Sequence, residues 1–225
     1  MRIRRIHLLV EGQTEETVAL DLFQPHLTAN GWSVSRSIMI TRRPAAARAH
    51  RGGVSSWPKL EGEIRRLLRD SSLDVVTTLL DYYGFPTDAP GMADRPAADA
   101  FVRVEHVERS LALAVGDGRF LPHLSLHETE AWVFAAAAQL GELLGAPALG
   151  RKLRDESAAA GGPELVNDGP STAPSKRLQA HCPGYSKPVD GPLAICELGL
   201  QELRRQCPHL DAWLTRLGNL ALPED

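Results

Sequence analysis

The sequence predicts an α/β protein: a mostly parallel sheet of about four strands flanked by helices, with a helical C-terminal third. Three observations predict it. Short apolar runs of strand length end at Glu11, at Asp81 and just before His127; stretches with helical spacing stand between them; strand signals vanish beyond about residue 140.

Ile3 to Val10 is short, apolar and rich in β-branched and aliphatic residues, as a buried strand requires, and Glu11-Gly12-Gln13 makes the turn after it. From Thr14, an N-cap, Val18, Leu20, Leu22, Phe23 and Leu27 follow helical spacing, with Glu15 and Glu16 where the helix dipole favours acids. Asn30-Gly31 closes that helix, and Trp32 to Ile40 alternates as a second strand. Residues 41–56 are Ala-, Gly- and Arg-rich without periodicity and read as a mobile basic loop. Pro58 opens a helix carrying Leu60, Ile64, Leu67 and Leu68. The run LDVVTTLLD is a third strand ending at Asp81, and the Pro- and Gly-rich stretch from Tyr82 to Pro96 is loop. Ala98 to Val115 reads as a helix, Phe120 to Leu126 as a fourth strand, and HETE starts an Ala-rich helix through Ala138. Helical stretches follow at 139–145, 148–159, 171–181 and 191–217. The expected organisation is therefore an α/β core over 1–138 and a helical extension over 139–225, packed as one unit.

A chain of 225 residues suits one domain, and 43% apolar with 24% charged residues excludes a mostly disordered or collagen-like protein. The net charge of −3 argues against a non-specific nucleic-acid coat. It is unevenly spread: residues 1–70 carry 12 Lys/Arg against 7 acids, and the remainder reverses the balance. Cys182, Cys196 and Cys207 are odd in number and lack a Cys-x-x-Cys pair, which argues against a disulfide framework or zinc site and fits a reducing compartment. Neither a signal-peptide core nor a membrane-spanning run is present, so the expectation is a cytoplasmic protein without a membrane partner.

The positions of the acids point to chemistry. Glu11 follows the first strand, Asp81 ends the third, and Glu128 and Glu130 follow the fourth. If the strands are parallel, these ends share the edge where open α/β sheets bind ligands. Each pair of carboxylates about 5 Å apart repels by roughly 3 kcal/mol at an effective dielectric near 20. Three such pairs rival a whole domain's stability of about 5–15 kcal/mol, so the cluster must protonate or bind a cation. Oxygen-only donors favour Mg²⁺ or Mn²⁺ over zinc. Glu15, one helical turn beyond Glu11, is placed either to reach a second metal or simply to compensate the helix dipole.

Lys176 and Lys187 are candidates for a point charge on a scissile or leaving phosphate. Gly169 to Lys176 is not a Walker A loop, because Ser175 and Arg177 stand where a glycine and a Ser/Thr are needed. HETE lacks the second histidine of a zinc protease, and no Gly-x-Ser-x-Gly elbow exists. Of the eight histidines, only His127 is kept, as a group supporting the metal ligands from behind.

The segments LLVEGQTEE, LLDYYGFP, HETEAWVF and PSKRL with a following Tyr-x-Lys together resemble the bacterial family of domain of unknown function 4276, over most of the chain. That family resembles a divergent branch of the Toprim superfamily, which includes topoisomerases, primases and OLD-type nucleases. The resemblance implies a Toprim-like, Rossmann-like fold in which Glu11 is the first-strand glutamate and Asp81 the first acid of an Asp-x-Asp. It further implies Glu15 as a second-metal ligand, Glu128 or Glu130 as the additional acid, and Lys176 or Lys187 as the catalytic lysine. Tyr83 stands where the second Asp is expected, so one metal site is weakened or is completed by Glu128 or Glu130. The family also resembles the nuclease half of antiviral defence modules that work with an ABC- or SMC-like ATPase.

The resulting expectation is a Mg²⁺- or Mn²⁺-dependent nuclease, with Arg42, Arg43, Arg48 and Arg51 tracking a nucleic-acid backbone, DNA ahead of RNA. The alternative is a non-catalytic Toprim-like subunit that docks on an ATPase. A third expectation, an enzyme for a small phosphorylated substrate, would use residues 84–96 as a lid. Homo-oligomerisation is left open.

Overall fold

The structure, a computed structural model, describes residues 3–39, 54–166 and 172–221. The basic segment with Arg42, Arg43, Arg48 and Arg51 lies outside the described residues. Five parallel strands form the sheet: β1 (Arg4–Val10), β2 (Trp32–Ile38), β3 (Val75–Asp81), β4 (Phe120–Leu121) and β5 (Leu124–Ser125). Their order is β2-β1-β3-β4, with β5 also pairing on β3. Val10 is in register with Ile38 on one side and Leu79 on the other, so β1 and β2 end together and β3 runs two residues further, to Asp81, at the same edge.

Parallel strands covered on both faces need apolar residues at odd and even positions alike, and β1 and β3 supply them. Ile6, Leu8, Val10, Val75 and Leu79 point into one buried core. Leu9, Val76 and Leu80 point into the other. On the second face lie α3 (Trp57–Leu68) and α4 (Ala100–Val115), whose buried Leu60, Ile64, Val104, Val107 and Leu111 recur at helical spacing. Asp99 caps α4 by accepting from the Val102 amide. The loop between β3 and α4 is seated rather than free, with Phe85, Ala89 and Met92 buried in the same core.

The first face carries α1 (Gln13–Val18), a π-helical turn (Ala19–Phe23) and α2 (Gln24–Ala29), which form one continuous rod. The wide turn ends two residues before Pro25, which has no amide to donate and whose ring crowds the preceding turn. Also on this face are α5 (Ala131–Ala135), α6 (Ala137–Leu143), α7 (Pro147–Ala160), α8 (Pro174–His181), α9 (Asp190–Leu198), α10 (Leu200–Gln206) and α11 (Pro208–Ala221). Helix α9 packs on α1, α5 and α6, joining the C-terminal helices to the sheet layer. No helix among the described residues is long and apolar enough to cross a membrane, and all three cysteines are free thiols.

Several sequence expectations need correction. Gly12, not Thr14, is the N-cap of α1, so Thr14 lies inside the helix, and the Ala-rich helix after HETE is broken at Ala136 into α5 and α6. The fourth strand is two short strands, because Pro122 lacks an amide and His123 pairs with a side chain instead. The Thr78 hydroxyl donates to the His123 carbonyl and accepts from its amide, both at 2.9 Å. The helix expected over 191–217 is three helices, broken at Gly199, whose φ of 81° is open to glycine, and before Pro208.

Candidate metal centre

Parallel pairing brings Glu11 and Asp81 to one edge. The Glu11 amide continues the ladder by donating to the Leu79 carbonyl at 3.1 Å, and the Asp81 amide donates to Glu11 Oε2 at 2.8 Å. The next segment, after β5, wraps over this edge. The Thr129 amide and hydroxyl both donate to Asp81 Oδ1, at 2.9 and 3.2 Å. His127 takes a φ of 67°, unusual for a residue with a side chain, and its carbonyl accepts from the Tyr83 amide at 2.6 Å. That kink turns the chain so that Glu128 and Glu130 are both buried beside the strand ends. Glu15, in the first turn of α1, is buried too, and a side chain at Gly12 would crowd its Oε2 at 3.3 Å.

Lys187 is the cation that meets these acids among the described residues. Its Nζ lies 2.8 Å from Glu130 Oε2 and 3.9 Å from Asp81 Oδ2, with the side chain still 39% exposed. One lysine does not neutralise five carboxylates. Burial above all raises Glu11 to about 7; the Asp81 amide opposes the rise and the Glu15 charge adds to it. Burial likewise pushes Glu130 to about 7 despite Lys187, and raises Asp81 well above its ordinary value, with Glu11 adding to the rise. Burial disfavours the charged form of Lys187, but Asp81, Glu130 and Glu15 outweigh it and hold the ammonium protonated. Burial lowers His127 to about 4, helped by the charge of Arg103, which keeps its imidazole neutral beside the acids.

The residues fit a hard divalent cation. Glu15 Oε1 and Glu130 Oε1 are buried without a hydrogen-bond partner among the described residues, and every donor in the set is a carboxylate oxygen. Orphaned buried carboxylate oxygens are costly unless a cation or proton satisfies them.

The structure separates residues that the sequence left together. Glu130 shares Lys187 with Asp81, whereas Glu128 holds the start of α8, accepting from the Ser175 amide at 2.9 Å and hydroxyl at 3.1 Å. Lys187 reaches the acids; Lys176 is exposed on α8, and no ion pair ties it to them among the described residues. Tyr83 is half-buried and adds no acid. Sequence reasoning missed Thr129 and Ser175, and gave Tyr185 no role beyond its place in Tyr-x-Lys. The Tyr185 hydroxyl is buried without a hydrogen-bond partner among the described residues, and burial, then the Glu130 charge, pushes its pKa up. The signal available for Thr129 was its place between two candidate acids; for Ser175 it was only its place in PSKRL, since its partner lies 47 positions away.

No curated protein sequence and no solved structure matches the chain. The family described as domain of unknown function (DUF4276) matches residues 10–218, a span that holds every acid of the site and Lys187, and the chain belongs to that family.

Proposed function

We propose that this protein is a Mg²⁺- or Mn²⁺-dependent nuclease of the Toprim type, related to OLD-type nucleases, which hydrolyses nucleic-acid phosphodiesters as the effector of an ATPase-coupled antiviral defence module. The observation that carries this reading is the contact of Glu11 with Asp81 at the shared strand edge, flanked by the orphaned oxygens of Glu15 and Glu130. Glu11, Glu15, Asp81 and Glu130 would hold the cation. When bound, it supplies Lewis-acid polarisation of a phosphoryl oxygen and a bound water of lowered pKa.

The chain's own groups orient and charge the site. Thr129 fixes the Asp81 carboxylate, and the Asp81 amide fixes that of Glu11, so both oxygen sets are preorganised before substrate arrives. Lys187, anchored by Glu130 yet partly exposed, presents a positive charge for the leaving oxygen. Arg42, Arg43, Arg48 and Arg51 follow β2 in the sequence, and their charge suits contact with a phosphate backbone, DNA ahead of RNA. With no phosphate-binding loop in the chain, ATP chemistry falls to an ABC- or SMC-like partner.

Cleavage of plasmid DNA with Mn²⁺ tests the reading. Wild type cleaves, and Glu11→Ala and Asp81→Asn each lose about 100-fold or more. Equal activity in wild type and Glu11→Ala overturns it. The second reading, a non-catalytic subunit that docks on the ATPase, draws on Lys187 already engaging Glu130 and on Tyr83 in the place of an acid. Calorimetric titration with Mn²⁺ decides between them: heat that vanishes in Asp81→Asn favours the nuclease, and no binding favours the docking subunit.

A further inference from the structure

A second group of metal-binding side chains lies at the lateral border of the sheet, away from the strand ends. His123 stands between β4 and β5, Glu108 comes from α4 on one face, and His209 from α11 on the other. Residues of both helices line a half-open cavity of about 370 Å³ beside the last strand, among them Arg109, His209, Trp213 and Arg216, with His123 also in its wall.

Glu108 Oε1 is the centre of the group. It lies 3.0 Å from His209 Nε2 and 3.6 Å from His123 Nδ1, and it accepts from the Leu124 amide at 2.8 Å. The ligand atoms of all three residues fall within 4.8 Å of one another. In a tetrahedral zinc site, bonds of about 2.0–2.2 Å put neighbouring donors roughly 3.3 Å apart, so the two edges through Glu108 already have the right length. Only the edge between the two histidines must close.

His123 supplies the independent sign of a ligand. It is 1% exposed, yet neither of its ring nitrogens has a hydrogen-bond partner among the described residues. Buried imidazoles normally satisfy at least one nitrogen. The ring is fixed in place: it stacks on Trp213 at 4.3 Å and on His209 at 4.9 Å between centroids. Its main chain is anchored by Thr78. A rigid, unsatisfied imidazole beside a second imidazole and a carboxylate is the donor set of a borderline-soft transition metal.

We propose that His123, His209 and Glu108 form a binding site for a first-row transition cation of the Zn²⁺ class, with its fourth position facing the cavity. This site is separate from the carboxylate rim and does not rest on the nuclease reading. Two imidazoles select against Mg²⁺, so the two centres take different ions.

The test is Zn²⁺ titration of the full chain by calorimetry, in excess Mg²⁺ to occupy the carboxylates. One equivalent binds to wild type and to Glu11→Gln. In His123→Gln and His209→Gln the dissociation constant rises by more than the roughly 10–100-fold that loss of an outer partner costs. Zinc-edge X-ray absorption of wild type is the second readout, independent of how the variants fold: it shows outer-shell scattering from two imidazoles. An all-oxygen shell, no zinc uptake in excess Mg²⁺, or unchanged affinity in His123→Gln overturns the proposal and leaves a buried hydrogen-bonded network.

Discussion

The two polar clusters of this protein are built on opposite principles. The carboxylate rim gathers Glu11, Glu15, Asp81, Glu128 and Glu130 around one lysine, and strand ends and the turns that follow them carry four of the five acids. The lateral cluster sets two imidazoles against one carboxylate, and helices from both faces bring two of its three members. The rim holds excess negative charge that burial makes expensive, whereas the border pairs one carboxylate with two imidazoles, one of them without a hydrogen-bond partner at either ring nitrogen among the described residues. The comparison teaches that sheet topology concentrates charge, while helix packing around a sheet edge assembles donors of mixed type.

Proton linkage is the widest way to test that contrast. Glu11 and Glu130 are raised from about 4.5 in the unfolded chain to about 7, so the folded state binds more protons between those values. The contribution is fully present below pH 4.5 and is lost as pH rises through about 7, on the order of 3 kcal/mol for each group. Thermal unfolding of the metal-free protein should therefore show stability falling across this window. Saturating Mn²⁺ should reverse the fall, because cation and proton compete for the same oxygens. A flat profile would break the view of the rim as an overcharged site.

Thr78→Val separates the clusters. It leaves the His123 amide and carbonyl without their partner and should cost about 2 kcal/mol, read as a lowered urea midpoint. Because the substitution touches the border and not the rim, Mn²⁺ affinity should stay within about twofold of wild type. The smallest effect is expected from Ser175→Ala, which removes one of two bonds to Glu128 and keeps the amide. About 1 kcal/mol of stability goes, and a loss above about 3 kcal/mol would mean that Glu128 anchors more than the start of α8.

Much of this was legible along the chain. The first and third strands, the helix opened by Pro58 and the helix over Ala100–Val115 follow the expected apolar patterns because each pattern reports a local face. Glu11 and Asp81 were legible for the same reason: acids that directly follow buried strands of a parallel sheet share an edge. The break at Pro122 was missed because an apolar run hides a missing amide until its neighbour is known. His123 and His209 were passed over because nothing in their local surroundings distinguishes them. Their partner Glu108 is 101 positions from His209.

By itself, the order of residues determined the layer architecture, the parallel crossovers and the identity of the acids, since these depend on short-range periodicity and on the termini of strands. Which acid shares a lysine with Asp81, which one instead holds a helix start, and that two remote histidines meet one glutamate were settled by three-dimensional packing alone. Such pairings depend on how whole elements lie against one another, and that geometry is the joint outcome of every core contact, written in no single segment.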